Sequence, residues 1–300
     1  MIQTSCFDGV FTALVTPFTD TGSIDWHAFE SLIDRQLAAG ITGLVPVGTT
    51  GEAATLSKKE ALAIITHTVK QAAGRAYVLA GTGGNVTTKS VEATCQAADA
   101  GVDGVLLITP YYNRPSQAGL ISHFGEIASS TNVDVMLYSV PGRTGVSIEP
   151  ETASALAKNH PNIVGIKEAG GDVTRVTALR AACDPKFVVH CGDDGLALPF
   201  FALGARGLTS VLSNFAPREC ISLYRAWCGG DQQTALSIHE HLAPLALAMF
   251  IDSSPSPVKR ALAIAGHMHD AVRLPLVQIS QKADDYLRFE LERFRKSDLQ

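Results

Sequence analysis

The stretch Ile163-Val164-Gly165-Ile166-Lys167 is apolar at successive positions rather than at alternate ones. That pattern marks a strand buried on both faces of a parallel sheet. Seven runs of the same kind lie on either side of it: Val10 to Val15, Gly43 to Val47, Tyr77 to Ala80, Gly104 to Ile108, Val133 to Tyr138, Phe187 to His190 and Leu208 to Leu212. Each is closed by Gly, Pro, Thr or Asn, and each is followed by a segment long enough for one helix. Trp26 to Ala39 has apolar residues three and four apart and stops at Gly40. Ser57 to Ala73 opens with a Ser followed three residues later by Glu60, the capping-box pattern. Ser90 to Ala100 ends at Gly101. Eight strand–helix units in about 230 residues predict an α/β chain of the (β/α)8 TIM-barrel class. A doubly wound sheet would want a glycine-rich nucleotide turn, and Gly81-Thr82-Gly83-Gly84-Asn85-Val86 breaks that pattern at its last position.

After about residue 230 the strand pattern ends. Three helices are expected there, with breaks near Ser253 to Pro257 and at Arg273-Leu274-Pro275. The expected organisation is therefore a catalytic barrel over residues 1–230 and a small all-helical domain over 231–300. The longest apolar stretch, Leu242 to Ile251, contains Pro244 and reads as a buried helix, too short to span a bilayer.

Composition narrows the function. The 300 residues are 46% apolar and 18% charged, enough for a packed core. A formal charge of −5 offers no basic surplus for nucleic acid or an anionic membrane. Six cysteines without a C-x-x-C pair, and a start without a signal-peptide pattern, read as reduced, mostly buried thiols in a cytoplasmic protein.

Barrel enzymes work at the C-terminal ends of their strands, which selects the residues to weigh. Most of the ten lysines fall in expected helices or loops, where a long cation stays wet; Lys167 ends a strand. Desolvation there disfavours the charged form, and a neutral amine attacks carbonyls to form Schiff bases. The competing reading is a strand-end lysine paired with Glu168 or simply solvated. Tyr138 ends the preceding strand and would share the mouth, either as a proton shuttle or as a core tyrosine with a capped hydroxyl. Gly48-Thr49-Thr50-Gly51 offers hydroxyls and close backbone approach for a carboxylate, or is an ordinary turn. His239/His241 and His267/His269 are read as helical pairs two apart, which do not face the same way. Asp193-Asp194 lacks accompanying histidines, and His190 with Cys191 is read as packing. No metal site is expected.

Five ordered motifs add a resemblance: Gly48 to Glu52, Pro110-Tyr111-Tyr112-Asn113-Arg114-Pro115, Tyr138 to Gly145, Gly165 to Ala169, and Gly192-Asp193-Asp194. Together with Val15-Thr16-Pro17, Pro257-Val258-Lys259 and Arg273-Leu274-Pro275-Leu276, they cover most of the chain. The sequence resembles the 4-hydroxy-tetrahydrodipicolinate synthase (dihydrodipicolinate synthase) family, in the pyruvate-dependent aldolase superfamily that includes N-acetylneuraminate lyase. The resemblance implies that Lys167 forms a Schiff base with pyruvate, that Thr49 and Thr50 seat the pyruvate carboxylate, and that Tyr138 moves protons through Thr49 and Tyr112. It implies that Tyr112 comes from a neighbouring subunit of a homotetramer built from two dimers. Arg143 would hold the carboxylate of L-aspartate 4-semialdehyde, and Gly192 and Thr209 would line the pyruvate pocket. Thr209 stands where the family mostly has isoleucine or valine. No metal or organic cofactor is implied, and the product would enter lysine and diaminopimelate biosynthesis. Asn85, Lys89 and Tyr111 match a lysine-effector cleft; Lys89 stands where lysine-sensitive members carry glutamate, and Lys58 and Ala61 replace histidines, so lysine feedback is expected to be weak or absent. The alternative is another pyruvate-dependent aldolase or dehydratase acting on a 2-keto-3-deoxy sugar acid.

Overall fold

The computed structural model describes residues 6–297. Its strands are β1 (Gly9–Ala13), β2 (Gly43–Val45), β3 (Tyr77–Gly81), β4 (Gly104–Ile108), β5 (Asp134–Ser139), β6 (Ile163–Glu168), β7 (Val188–Cys191) and β8 (Gly207–Ser210). They pair in parallel, in chain order, and β8 closes on β1. Strand β2 stops short of the expected Val47 because Pro46 has no N–H to give and Val47 turns left-handed at φ +58°.

The helices between strands start and stop where local chemistry requires. Helix α1 (Trp26–Ala39) is capped by the Asp25 carboxylate, which accepts from Ala28 N, and ends at Gly40 in the left-handed region. Helix α2 (Lys58–Ala72) carries both halves of the Ser57/Glu60 capping box. Helix α3 (Thr87–Asp99) begins three residues before the expected Ser90; its first flanking residue, Val86, has no capping side chain to signal the start. The outer ring continues with α4 (Gln117–Ser129), the single turn α5 (Pro141–Thr144), α6 (Pro150–Asn159), α7 (Thr174–Ala182), α8 (Ala197–Ala202) and α9 (Pro217–Cys228). Helices α10 (Gln232–Ala248), α11 (Ser256–Ile264) and α12 (Gln281–Ser297) form the C-terminal helical part, with α10 packed on α9 and α12.

Alternation along the strands divides the core in two. Outward residues such as Leu44, Val78, Val105, Leu137, Ile166 and Val189 pack under the helices. Inward residues Phe7, Phe11, Val45, Leu79, Leu106, Met136 and Val188 fill the barrel. Room for the large rings comes from facing glycines: a Cβ at Gly43 would lie 2.2 Å from the Phe11 ring. The register then sets the mouth, pairing Tyr138 with Lys167 and Lys167 with His190 on adjacent strands.

Three expectations are corrected. The apolar run Leu242 to Ile251 is only partly buried, since Leu247, Phe250 and Ile251 are exposed where the last turn of α10 leaves the core. His267 and His269 follow the end of α11 rather than lying in a helix. Of the free cysteines, Cys183, Cys191 and Cys220 are buried, Cys95 is half-buried, and Cys6 and Cys228 are exposed, so burial describes half of them.

Candidate active site

Lys167 projects into the barrel mouth near the end of β6 and is 5% exposed. Its ammonium lies 4.4 Å from the centroid of the Tyr138 ring. Among the described residues no carboxylate stands within 4 Å of it. Glu168 is the next residue of the strand and so faces the opposite side. There it is fully buried, accepting from Arg175 Nε at 2.9 Å and from Gly170 N at 2.7 Å. Burial pushes the Glu168 carboxyl up, and Arg175 opposes the shift. The Lys167–Glu168 pair left open by the sequence is therefore not formed.

Gly192, just past β7, gives the lysine its room. A Cβ there would lie 2.8 Å from Lys167 Cε and 2.7 Å from Ala169 Cβ. A cavity of about 210 Å³ opens in front of the amine, walled by Thr49, Thr50, Tyr138, Arg143, Lys167 and Gly192. Six of the residues singled out from sequence thus meet around one small space.

The Thr49-Thr50 wall is a tight loop after β2. Gly51 N and Ala53 N donate to Gly48 O, and Glu52 N donates to Thr49 O. Gly51 is tight, because a Cβ there would sit 3.1 Å from Leu14 O, and the Thr16 hydroxyl donates to its carbonyl at 2.7 Å. Thr50 is buried and Thr49 half-buried. Arg143 sits on α5, which Pro141 starts directly after β5. Its exposed guanidinium has no side-chain partner among the described residues, and it borders a second cavity of about 390 Å³ that shares Thr49 and Tyr138 with the first.

Other residues fall elsewhere. Thr209 is fully buried below the cavity, its hydroxyl 3.0 Å from His190 Nδ1, while His190 Nε2 donates to Phe7 O at 2.6 Å. Burial pushes His190 down to about 4, so it is a neutral packing ring. On β8's extension it is Val211, not Thr209, that borders the cavity. Tyr112 is 93% exposed, at φ +74°, and borders no part of its own chain's cavity. Asn85, Lys89 and Tyr111 do meet, in a separate cleft of about 320 Å³ that also includes Lys58 and Ala61. Glu92, which the sequence reading passed over, lies in the same cleft and pairs with Lys58 at 2.5 Å. Asp194 holds structure, accepting from Ser210 Oγ and from the backbone N–H groups of Val211 and Leu212. Among the described residues no group of three His, Cys, Asp or Glu could hold a metal ion.

Two cavity residues had no signal in the sequence. Phe250 and Ser254 reach the cavity from the segment between α10 and α11, within the region read as an appendage.

The sequence matches the Dihydrodipicolinate synthetase family across residues 6–293. It is 47% identical to the 4-hydroxy-tetrahydrodipicolinate synthase of Thermodesulfovibrio yellowstonii over 275 residues, 92% of this chain and 94% of that protein. The fold superposes with a TM-score of 0.95 on the 4-hydroxy-tetrahydrodipicolinate synthase of Methylacidiphilum fumariolicum SolV, at 43% identity and covering 96% of each chain. It superposes with a TM-score of 0.94 on the chloride-inhibited dihydrodipicolinate synthase of Acinetobacter baumannii in complex with pyruvate, at 40% identity, covering 96% of this chain and 99% of that one. None of these three carries a sugar-acid activity in its name.

Proposed function

The chain belongs to the dihydrodipicolinate synthetase family, and on that premise we propose that it runs the 4-hydroxy-tetrahydrodipicolinate synthase reaction, condensing pyruvate with L-aspartate 4-semialdehyde through a Schiff base on Lys167. The observation that carries this reading is a buried lysine without an acidic partner among the described residues, set over a tyrosine ring and facing a small cavity. The pyruvate complex of the Acinetobacter relative agrees with a three-carbon keto acid as the first substrate.

The ε-nitrogen of Lys167 attacks C2 of pyruvate, and the carbinolamine loses water to give the imine. The Thr49-Thr50 loop receives the carboxylate, which fixes the acid end opposite the amine. Tyr138, with its ring against the ammonium, is placed to pass protons during dehydration and during loss of the C3 proton that makes the enamine. The enamine carbon bonds to the aldehyde carbon of the semialdehyde, whose carboxylate Arg143 binds as a two-pronged donor. The amino group of that substrate then attacks the imine carbon, closes the ring and releases Lys167.

Tyr112 completes the proton path from a second subunit: a solvent-exposed tyrosine held left-handed beside the mouth suits a group that enters a partner's site, and a homotetramer of paired dimers provides the partner. Lysine feedback is weak, because Lys89 places a like charge in the outer cleft and Glu92 is engaged by Lys58; strong inhibition by submillimolar lysine would overturn this. The enzyme acts in the cytoplasm; among the described residues no helix is long and apolar enough to cross a membrane.

Borohydride reduction after incubation with pyruvate tests the reading. The adduct is expected on the peptide containing Lys167. An adduct on another lysine, or none, removes the mechanism.

A further inference from the structure

The loop that carries Thr49 and Thr50 is anchored by groups more than 200 positions away in the chain. Its last residue, Glu52, is left-handed at φ +56°, and Val47 at its start is left-handed at φ +58°. Residues with a Cβ keep that conformation only where their surroundings impose it. At Glu52 the imposing groups are visible. Its carboxylate is fully buried; Oε1 accepts from Lys259 Nζ at 2.5 Å and Oε2 from the backbone N–H of Arg273 at 3.0 Å. Lys259, also fully buried, donates again to Ala271 O at 2.7 Å. Its ammonium and the Arg273 guanidinium both contact the Phe18 ring, at 4.2 and 4.3 Å. Arg273 extends the joint to Gly22 O, Thr55 O and the Glu60 carboxylate.

Neither Glu52 nor Lys259 borders the small cavity in front of Lys167; Glu52 borders only the larger cavity beside it, and Lys259 borders neither. Cohesion alone does not explain two charges in that place, since burying both is costly and apolar side chains of similar size hold a core as well. A charge pair adds direction: a carboxylate with one oxygen on an ammonium and the other on a backbone N–H cannot rotate, and neither can the turn it ends. We infer that the buried Glu52–Lys259 pair is a positioning device, by which the C-terminal helical part holds the Thr49-Thr50 loop in register to receive the substrate's carboxylate.

The inference rests on the Schiff-base reading above, and one assay separates the two. The variants are Glu52→Gln and the double variant Glu52→Gln/Lys259→Met, which leaves no unpaired buried charge and so keeps the fold where the single change strands the Lys259 ammonium. Borohydride trapping is measured against pyruvate concentration, with thermal unfolding in parallel. Asp284→Asn serves as control, because it breaks two different ion pairs, with Arg260 and Arg288, in the same helical part. The expected result is at least a tenfold rise in the pyruvate concentration giving half-maximal trapping in the folded double variant, with the saturated trapping rate within threefold of wild type. Asp284→Asn should lower thermal stability and leave pyruvate dependence unchanged. Wild-type protein that traps no pyruvate refutes the Schiff-base reading. Wild-type protein that traps on Lys167, beside a folded double variant whose half-saturation is within twofold of it, refutes the positioning role alone.

Discussion

Two lysines of this chain are buried, and both set their ammonium over an aromatic ring: Lys167 over Tyr138 and Lys259 over Phe18. They differ in what else surrounds them. Lys259 has a carboxylate, Glu52, and a carbonyl, Ala271 O, as partners and is fully buried. Burial still pushes it down to about 8, against the pull of Glu52. Among the described residues Lys167 has neither an acid nor a carbonyl as hydrogen-bond partner, and it faces a cavity of about 210 Å³. Burial and a ring contact therefore do not mark a nucleophile. The missing acid and the free volume beside the nitrogen do, since a salt-bridged ammonium holds its lone pair as an N–H bond and has nowhere to admit a carbonyl carbon.

The comparison can be broken at its strongest point first. Lys167→Ala should lose turnover by at least about 10⁴-fold and show no borohydride adduct. The Glu52→Gln/Lys259→Met double variant should still label Lys167 at saturating pyruvate. Labelling that survives Lys167→Ala would mean that another lysine is the nucleophile, and label on Lys259 would mean that the two sites had been assigned the wrong way round.

Next comes the space itself. Gly192→Ala puts a methyl group 2.8 Å from Lys167 Cε, so the side chain must shift. A displacement of that kind should cost about 100-fold in kcat/KM while leaving the protein folded. Near-normal kinetics would show that the amine has more freedom than the packing suggests.

The second substrate's contact is smaller. Arg143→Ala removes charge-assisted hydrogen bonds worth about 2–3 kcal/mol, or about 30- to 150-fold in kcat/KM for the semialdehyde. Pyruvate trapping should stay within twofold of wild type. Equal loss in both assays would take away the proposed role.

The smallest effect concerns the joint around Lys259. The Arg273 side chain, and then the Ser57 backbone N–H, hold the Glu60 carboxyl down to about 2, against an ordinary 4.5. Between those values the unfolded chain binds a proton that the folded chain does not, so this contribution is complete above pH 4.5 and is lost as pH falls toward 2. Comparing urea midpoints at pH 5 and pH 3, wild type should drop further than Glu60→Gln. Parallel drops would show that Glu60 is solvated rather than clamped.

The same pair of lysines shows what could be read in advance. Lys167 was legible because it ends an apolar strand, and a cation at that point of a barrel has few explanations. Lys259 was not, because it lies in α11, and a helical lysine is ordinarily able to reach water. It is buried because Phe18 and Glu52, both far off in the chain, close over it. Phe250 and Ser254 were missed for the same reason: nothing local says that the segment between α10 and α11 folds back over the mouth. Thr209, which only the family resemblance placed at the pocket, has its hydroxyl against His190, while Val211, two residues further on, borders the cavity.

Strand count, strand order around a parallel barrel and the residues at each strand end follow from short-range pattern, because burial on both faces and helix capping are written in neighbouring side chains. Which of those ends meet in one cavity, which lysine is left without an acid, and what braces the Thr49-Thr50 loop were decided only when the chain closed on itself. Contacts between residues some 200 positions apart depend on the shape of everything between them, and no local run of sequence encodes that distance.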